Sequence, residues 1–217
     1  MTDIVLYSYW RSSASYRVRA ALNLKQIDYR IEPVHLVRGG GEQRRPEYLS
    51  MNPQGLVPLL QDGARRISQS LAIIDYLEET RPEPALLPAD PAGRARVRSL
   101  AQVIACEVSP LQNLRVLKYL GEDLAVSDDQ RQAWIHRWIR LGFETLETRL
   151  ASDGETGEFC HGDQPGMADV VLIPQMFNAK RFDCDLTPYP TLQRINAACL
   201  AMEAFKRAAP EAQPDAA

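Results

Sequence analysis

Ser8-Tyr9-Trp10-Arg11-Ser12-Ser13-Ala14-Ser15-Tyr16-Arg17-Val18-Arg19 follows directly on the apolar run Ile4-Val5-Leu6-Tyr7 and reads as a strand turning into a basic helix. Hydroxyl side chains at such a turn stand where the first backbone N–H groups of a helix have no intrahelical partner. A turn of this kind favours negative charge, whether phosphate, carboxylate or thiolate, and Arg11 adds a fixed cation. Taken alone, the serines read first as an ordinary helix cap.

Working outward, the first eighty residues alternate strand and helix in the order βαβαββα. Asp3 to Tyr9 reads as a strand, Ser15 to Leu24 as a helix and Tyr29 to Val37 as a second strand. A polar Gly/Arg loop and a short helix from Pro46 to Met51 follow. Val57 to Gln61 and Arg66 to Ser68 flank Asp62-Gly63, a hairpin signal. Ser70 to Glu79 reads as a helix with Leu71, Ile74 and Leu77 on one face.

Pro82, Pro84, Pro88 and Pro91 then mark a linker over residues 82–90, separating a first domain at 1–81 from a second at 91–217. Beyond it the pattern is helical. Val97, Leu100, Ile104, Val108 and Leu111 share a helical period that Pro110 should kink or end. Trp134, Trp138, Leu141, Thr145, Leu146 and Leu150 mark another amphipathic helix. Met167 to Phe177 is apolar on nearly all sides and reads as a buried helix. Thr191 to Ala209 forms the last one, and a polar tail follows. Gly166-Met167-Ala168-Asp169 reads as a capping box with glycine at the hydroxyl position, so that Asp169 caps the backbone alone.

With 25 basic against 28 acidic residues among 217, the net charge of −3 offers no electrostatic footprint for nucleic acid. No apolar run reaches the ~18–20 residues of a membrane span, and no signal-peptide pattern opens the chain. Cys106, Cys160, Cys184 and Cys199 form no CxxC pair, which fits reduced thiols in a cytoplasmic protein. The widely separated His35, His136 and His161 point to no metal site. Gly39-Gly40-Gly41 is followed by Glu42-Gln43 and matches no phosphate-binding loop.

Two further motifs would converge with the serine turn in a four-stranded sheet flanked by helices. In Asn52-Pro53-Gln54-Gly55-Leu56-Val57-Pro58, a proline opening a strand points to a cis Val57–Pro58 bond in a tight turn. Val57 would then present its N–H and C=O to an extended peptide. Gln69-Ser70 opens a helix, with a hydroxyl and free N–H groups suited to a carboxylate and an amide suited to an amino group. Ser70 on its own reads as a plain cap.

Together these motifs, with Gln69-Ser70-Leu71-Ala72-Ile73-Ile74-Asp75-Tyr76-Leu77-Glu78-Glu79 and Asp185-Leu186-Thr187-Pro188-Tyr189-Pro190, resemble the zeta-class glutathione transferases over essentially the whole chain. That resemblance implies an α/β thioredoxin-like glutathione-binding domain followed by an all-α substrate-binding domain, acting as a homodimer with glutathione as cofactor. It implies that Ser12, with Arg11 and Ser13 beside it, attends the glutathione sulfur. Val57, next to Pro58, would pair with the cysteinyl backbone. Gln69 and Ser70 would hold the γ-glutamyl end, Gln43 would reach the glycyl end, and Asn113 would join the cofactor site. Arg11, Arg115 and Arg181 would bind the substrate's acid groups bidentately. Ala14 stands where the pattern often has cysteine, which removes a protein thiol from the site. Ser109 stands where relatives carry Gln or His.

A hydrogen bond from Ser12 to a thiolate is worth roughly 1.5–3 kcal/mol, and a helix N-terminus about 0.3–2 kcal/mol. At ~1.4 kcal/mol per pKa unit, together they bring a thiol from ~8.5 towards neutrality. The resemblance implies cis–trans isomerisation of maleylacetoacetate to fumarylacetoacetate by thiolate addition, bond rotation and elimination. Maleylpyruvate is the alternative dicarboxylate substrate, favoured by Arg115. Conjugation or dehalogenation of small α-halo acids would use the same thiolate, and a non-catalytic binding module of this fold would lack the need for Ser12.

Overall fold

The computed structural model describes residues 4–216. It divides into two compact units, Met1–Leu86 with Leu200–Ala217 and, separately, Leu87–Cys199. The break falls inside the expected proline-rich linker. The expected second domain does not run to the end of the chain, because the segment from Leu200 onward packs with the first unit. Asp3, expected to open the first strand, and the outermost residues of both expected domains lie outside the described residues.

In the first unit β1 (Ile4–Ser8), β2 (Arg30–Pro33), β3 (Leu59–Asp62) and β4 (Arg65–Ser68) form a four-stranded sheet in the order β2-β1-β3-β4. β1 runs parallel to β2 and antiparallel to β3, and β3 and β4 form a hairpin closed by Gly63-Ala64. Gly63 sits at φ 57°, the left-handed region that glycine enters without a Cβ penalty. Side-chain alternation splits the sheet between two cores. Ile4, Leu6 and Leu60 join Val18 and Leu22 of α1 (Ser13–Leu24) and Ile73 and Leu77 of α3 (Ser70–Thr80). On the other face Leu59 packs with Val34, Tyr48 of α2 (Pro46–Leu49), Tyr7 and Val57.

The helix expected from Ser15 begins at Ser13, because Ser12 takes the cap position and its Oγ accepts the Ser15 N–H at 3.2 Å. β2 is shorter than the expected Tyr29–Val37 run. Val34 still donates to Ser8, but the next N–H, that of His35, goes to the Glu42 carboxylate at 2.8 Å instead of a strand.

Arg19 is fully buried in α1. Its Nε donates to Ala208 O at 2.9 Å, its Nη1 to Ser8 Oγ at 3.0 Å and its Nη2 to Trp10 O at 2.9 Å. Burial pulls its pKa down to about 10, opposed by Tyr29, Asp215 and Tyr16. The segment expected as one helix over Thr191–Ala209 is two, α8 (Pro190–Ala201) and α9 (Glu203–Ala208), separated by an extended Met202. The break lets Phe205 and Ala208 bury themselves and brings the Ala208 carbonyl to Arg19.

The second unit is helical, with α4 (Pro91–Gln102), α5 (Leu114–Lys118), α6 (Asp128–Ser152), α7 (Met167–Arg181) and α8. Ahead of Pro110 the α4 path widens to a π-helical stretch at Val103–Val108 and then tightens to a 3-10 turn at Ser109–Gln112. The helical period thus ends where a residue without an N–H interrupts it. On α6 the buried face is Ile135, Ile139, Gly142, Phe143, Leu146 and Leu150. The expected stripe of Trp134, Trp138, Leu141 and Thr145 lies one residue away. Indole rings carry a polar edge and tolerate the boundary, and Trp134 Nε1 donates to Leu111 O at 2.8 Å. Asp169 caps as expected, with its Oδ2 accepting from Gly166 N at 2.8 Å and its Oδ1 from Cys160 N at 2.9 Å.

At the far end of β3, Asp62 Oδ2 accepts from Tyr76 Oη at 2.9 Å and from Arg81 Nη2 at 2.8 Å. Burial alone would raise the carboxyl's pKa, but these two bonds outweigh it and hold the group below its usual value. A depressed folded-state pKa stabilises above the unfolded pKa of ~3.9 and is lost as pH falls through the folded value. We therefore expect Asp62→Asn to cost about 1 kcal/mol at pH 7. In denaturant titrations the difference from the parent should close as the pH drops below 4.

Candidate active site

Three chain segments leave the same end of the sheet. Tyr7 pairs with Leu59, and Leu59 with Ser68, so the residues after β1, before β3 and after β4 emerge side by side. These are the serine turn, the Asn52–Pro58 loop and Gln69-Ser70.

The serine turn is closed by the Ser12 N–H donating to Tyr9 O at 3.0 Å. Ser12 Oγ spends a lone pair on the Ser15 N–H, which leaves its own proton free to point away from the helix. Among the described residues the N–H groups of Ser13 and Ala14 have no partner, as expected of a first helical turn. Arg11 is exposed, with its guanidinium carbon 5.3 Å from the centre of the Trp10 ring.

In the second segment Val57–Pro58 is a cis peptide, as expected. Tyr48 Oη and Asn52 Nδ2 both donate to Leu56 O, at 2.6 and 2.8 Å, and so fix the backbone just ahead of Val57. Among the described residues the N–H and C=O of Val57 remain unpaired. In the third, Gln69 caps α3 at φ 71° and ψ 117°, a left-handed conformation costing a non-glycine residue roughly 1–3 kcal/mol. Gln69 Nε2 donates to Gln54 Oε1 at 2.7 Å, and Arg17 Nη1 donates to Ser70 Oγ at 3.2 Å. These two bonds tie the third segment to the second and to α1.

Gln43 is buried within its own loop, where its Nε2 donates to Leu36 O at 3.3 Å. The side chain is turned inward, and its Oε1 is buried without a partner among the described residues.

The remaining expected site residues belong to the second unit. Asn113 caps α5, its Oδ1 accepting from Arg115 N at 3.1 Å. Arg181 ends α7 with its guanidinium carbon 4.3 Å from the Phe182 ring centre. It lines a cleft of about 490 Å³ together with Leu114, Lys118, Ile135 and Phe182, whereas Arg115 is not among the lining residues. The Cys160 and Cys199 thiols are pushed up chiefly by burial, and Cys184 is raised by the same cause to about 11. None of these three is poised as a thiolate.

Residues 6–85 match the family model described as the N-terminal domain of glutathione S-transferase. The chain is 50% identical over 216 residues to the probable maleylacetoacetate isomerase of Vibrio cholerae, covering 100% of both proteins. The holo structure of a maleylpyruvate isomerase, a bacterial glutathione S-transferase in the zeta class, superposes with a TM-score of 0.95. It is 46% identical and the match covers 98% of this chain and 100% of that one. The chain belongs to the zeta-class glutathione transferases. A second solved relative is the maleylacetoacetate isomerase of Methylobacterium extorquens AM1, with bound malonate and GSH. It matches at TM-score 0.94 and 44% identity over 98% of this chain and 99% of that one.

Around this zeta-class site the fold supplies supports that a reading of motifs misses. Arg17 and Arg19 lie among Val18, Ala20, Ala21 and Leu22, all buried. Two cations inside a run of small apolar residues were the available signal, since a solvent-facing stripe would recur at helical spacing. In the second unit Gln112 Oε1 accepts from Asn178 Nδ2 at 2.6 Å and from Gln175 Nε2 at 3.2 Å, all three side chains being buried. This amide cluster joins the turn ahead of Asn113 to the helix that ends at Arg181. Gln112→Leu leaves two buried donors without their acceptor, and we expect a loss of roughly 1–3 kcal/mol in unfolding free energy measured by denaturant titration. Unchanged stability would mean that the cluster contributes nothing.

Proposed function

We propose that this zeta-class chain is a glutathione-dependent cis–trans isomerase of maleylacetoacetate, yielding fumarylacetoacetate. The observation that carries the reading is the set of unpaired polar groups at one end of the sheet: the Ser12 hydroxyl, the Val57 N–H and C=O, and the first-turn N–H groups of α3.

That set fits glutathione, a tripeptide with a thiol, an extended backbone, an amino group and two carboxylates. Ser12, backed by Arg11, Ser13 and the free N–H groups of α1, would hold the sulfur as thiolate. Val57 would take the peptide backbone, with Pro58 keeping the following position free of a competing N–H. Ser70 and the start of α3 suit a carboxylate, and Gln69 suits the neighbouring amino group. For Gln43 to reach the glycyl carboxylate, its buried amide would have to turn outward from Leu36 O. Glutathione supplies a nucleophilic sulfur whose reversible addition to a double bond permits rotation. The first unit would hold that sulfur deprotonated, with Arg11 as a cation beside it; in the second unit Arg181, which lines the cleft, and Arg115 would be the holders of the substrate's acid groups. Fixed cations also stabilise negative charge that develops on the substrate.

The relatives include a maleylpyruvate isomerase of nearly equal similarity, so maleylpyruvate is the second reading. No helix among the described residues is long and apolar enough to cross a membrane. The reading includes a cytoplasmic homodimer, which sedimentation and cell fractionation test.

Side-by-side assays of both substrates, with and without glutathione, should give glutathione-dependent turnover with maleylacetoacetate preferred. A preference for maleylpyruvate selects the second reading, and no turnover of either defeats both. Ser12→Ala should lower kcat roughly 10–150-fold, the equivalent of one charge-assisted hydrogen bond, while glutathione affinity measured by calorimetry changes far less. An unchanged kcat would remove Ser12 from its role.

A further inference from the structure

The polar tail reaches back to the serine turn. Tyr9 to Ser12 form a tight turn, closed by the Ser12 N–H on Tyr9 O at 3.0 Å. Trp10 is its second residue, and both of its backbone polar groups are held by ions. Its N–H donates to Asp215 Oδ2 at 3.0 Å, and its C=O accepts from Arg19 Nη2 at 2.9 Å. Arg19 Nη1 also reaches Tyr9 O at 3.4 Å. The peptide leading into Arg11 and Ser12 is therefore clamped between a carboxylate and a guanidinium from distant parts of the chain.

The tail is shaped to present that carboxylate. Gln213 is buried, and its Nε2 donates to Arg207 O at 2.9 Å and Ala209 O at 2.7 Å. Ala216 N then donates to Gln213 O at 3.1 Å, closing a turn with Asp215 at its third position. Asp215 Oδ1 is buried and has no partner among the described residues, so no neutral donor disperses the charge on that side. Its field acts on Arg19, whose charge it supports against burial. An anchoring contact alone would need only an acceptor; this one also places a negative charge beside the buried cation that holds the same turn.

We propose that Asp215 is a positioning residue for the sulfur site, fixing the Trp10 peptide and through it the placement of Arg11 and Ser12. The inference rests on the proposed glutathione reading. Removal of the carboxylate frees the Trp10 N–H, loosens the turn and weakens the Ser12 hydrogen bond to the thiolate.

The test compares the parent with Asp215→Ala, Asp215→Asn, Asp215→Glu and, as a control, Glu211→Gln, which changes an exposed tail carboxylate. Two readouts need no turnover. Ultraviolet titration of the bound glutathione thiol, without substrate, should show its pKa rising in Asp215→Ala and largely restored in Asp215→Glu, with Asp215→Asn between and Glu211→Gln unchanged. Amide exchange at Trp10 in protein without glutathione should quicken at least tenfold in Asp215→Ala, relative to amides of the sheet. In turnover, kcat should fall more than KM rises. A thiol pKa and a Trp10 exchange rate equal to the parent's in Asp215→Ala would overturn the inference. So would changes that merely follow a uniform loss of stability across the first unit. If the parent itself binds no glutathione, the functional reading fails, and the Trp10 exchange rate still decides whether Asp215 holds the turn.

Discussion

The buried Arg19 guanidinium is the constraint on which the first unit depends. Transfer of a full charge into the interior is expensive unless its donors are satisfied. Here Ala208 O, Ser8 Oγ and Trp10 O satisfy them. Those acceptors belong to the end of α9, the end of β1 and the turn before Ser12. One side chain thus ties the C-terminal segment to the end of β1 and the turn that follows it, and if either moves, the charge is left without its acceptors in the apolar core. This explains why the segment from Leu200 packs with the α/β unit and not with the helices that precede it in sequence.

The strand–turn–helix opening was legible because it depends on local rules. Ile4 and Leu6 alternate with Tyr7, and Ser12 is a hydroxyl at a helix start. The hairpin at Asp62-Gly63 and the cis Val57–Pro58 bond were readable for the same reason, since turn chemistry is written in adjacent residues. What was not legible is non-local. Arg19 in a helix looks like a surface cation until its partners at Trp10 and Ala208 are known. Asp215 looks like part of a solvated tail until its bond to the Trp10 N–H is seen. The α6 face was misread by one position because Trp134 and Trp138 count as hydrophobic in a periodicity, although an indole is content at the edge of a core.

The second unit is built on the same economy of buried polar groups. Gln112, Gln175 and Asn178 replace an apolar contact by a set of amides that must be mutually aligned, which restricts how the turn before Asn113 can sit on α7. Arg96 does similar work for the loop leading into α7, donating to Asp153 Oδ2 at 2.6 Å, Cys160 O at 2.8 Å and Thr156 Oγ1 at 2.9 Å. The buried thiols nearby stay neutral, and Ala14 leaves none at the serine turn. In the proposed reading the reactive sulfur at the serine turn is that of glutathione.

A turn held by buried charge, with Ser12 at its helix cap, is built to stabilise a thiolate. The most direct measurement is an ultraviolet titration of glutathione bound to the unmodified protein in the absence of substrate. The bound thiol should titrate with an apparent pKa at least about one unit below the ~8.5 of a free thiol. An unshifted value would contradict it, because the site would then bind glutathione without activating its sulfur.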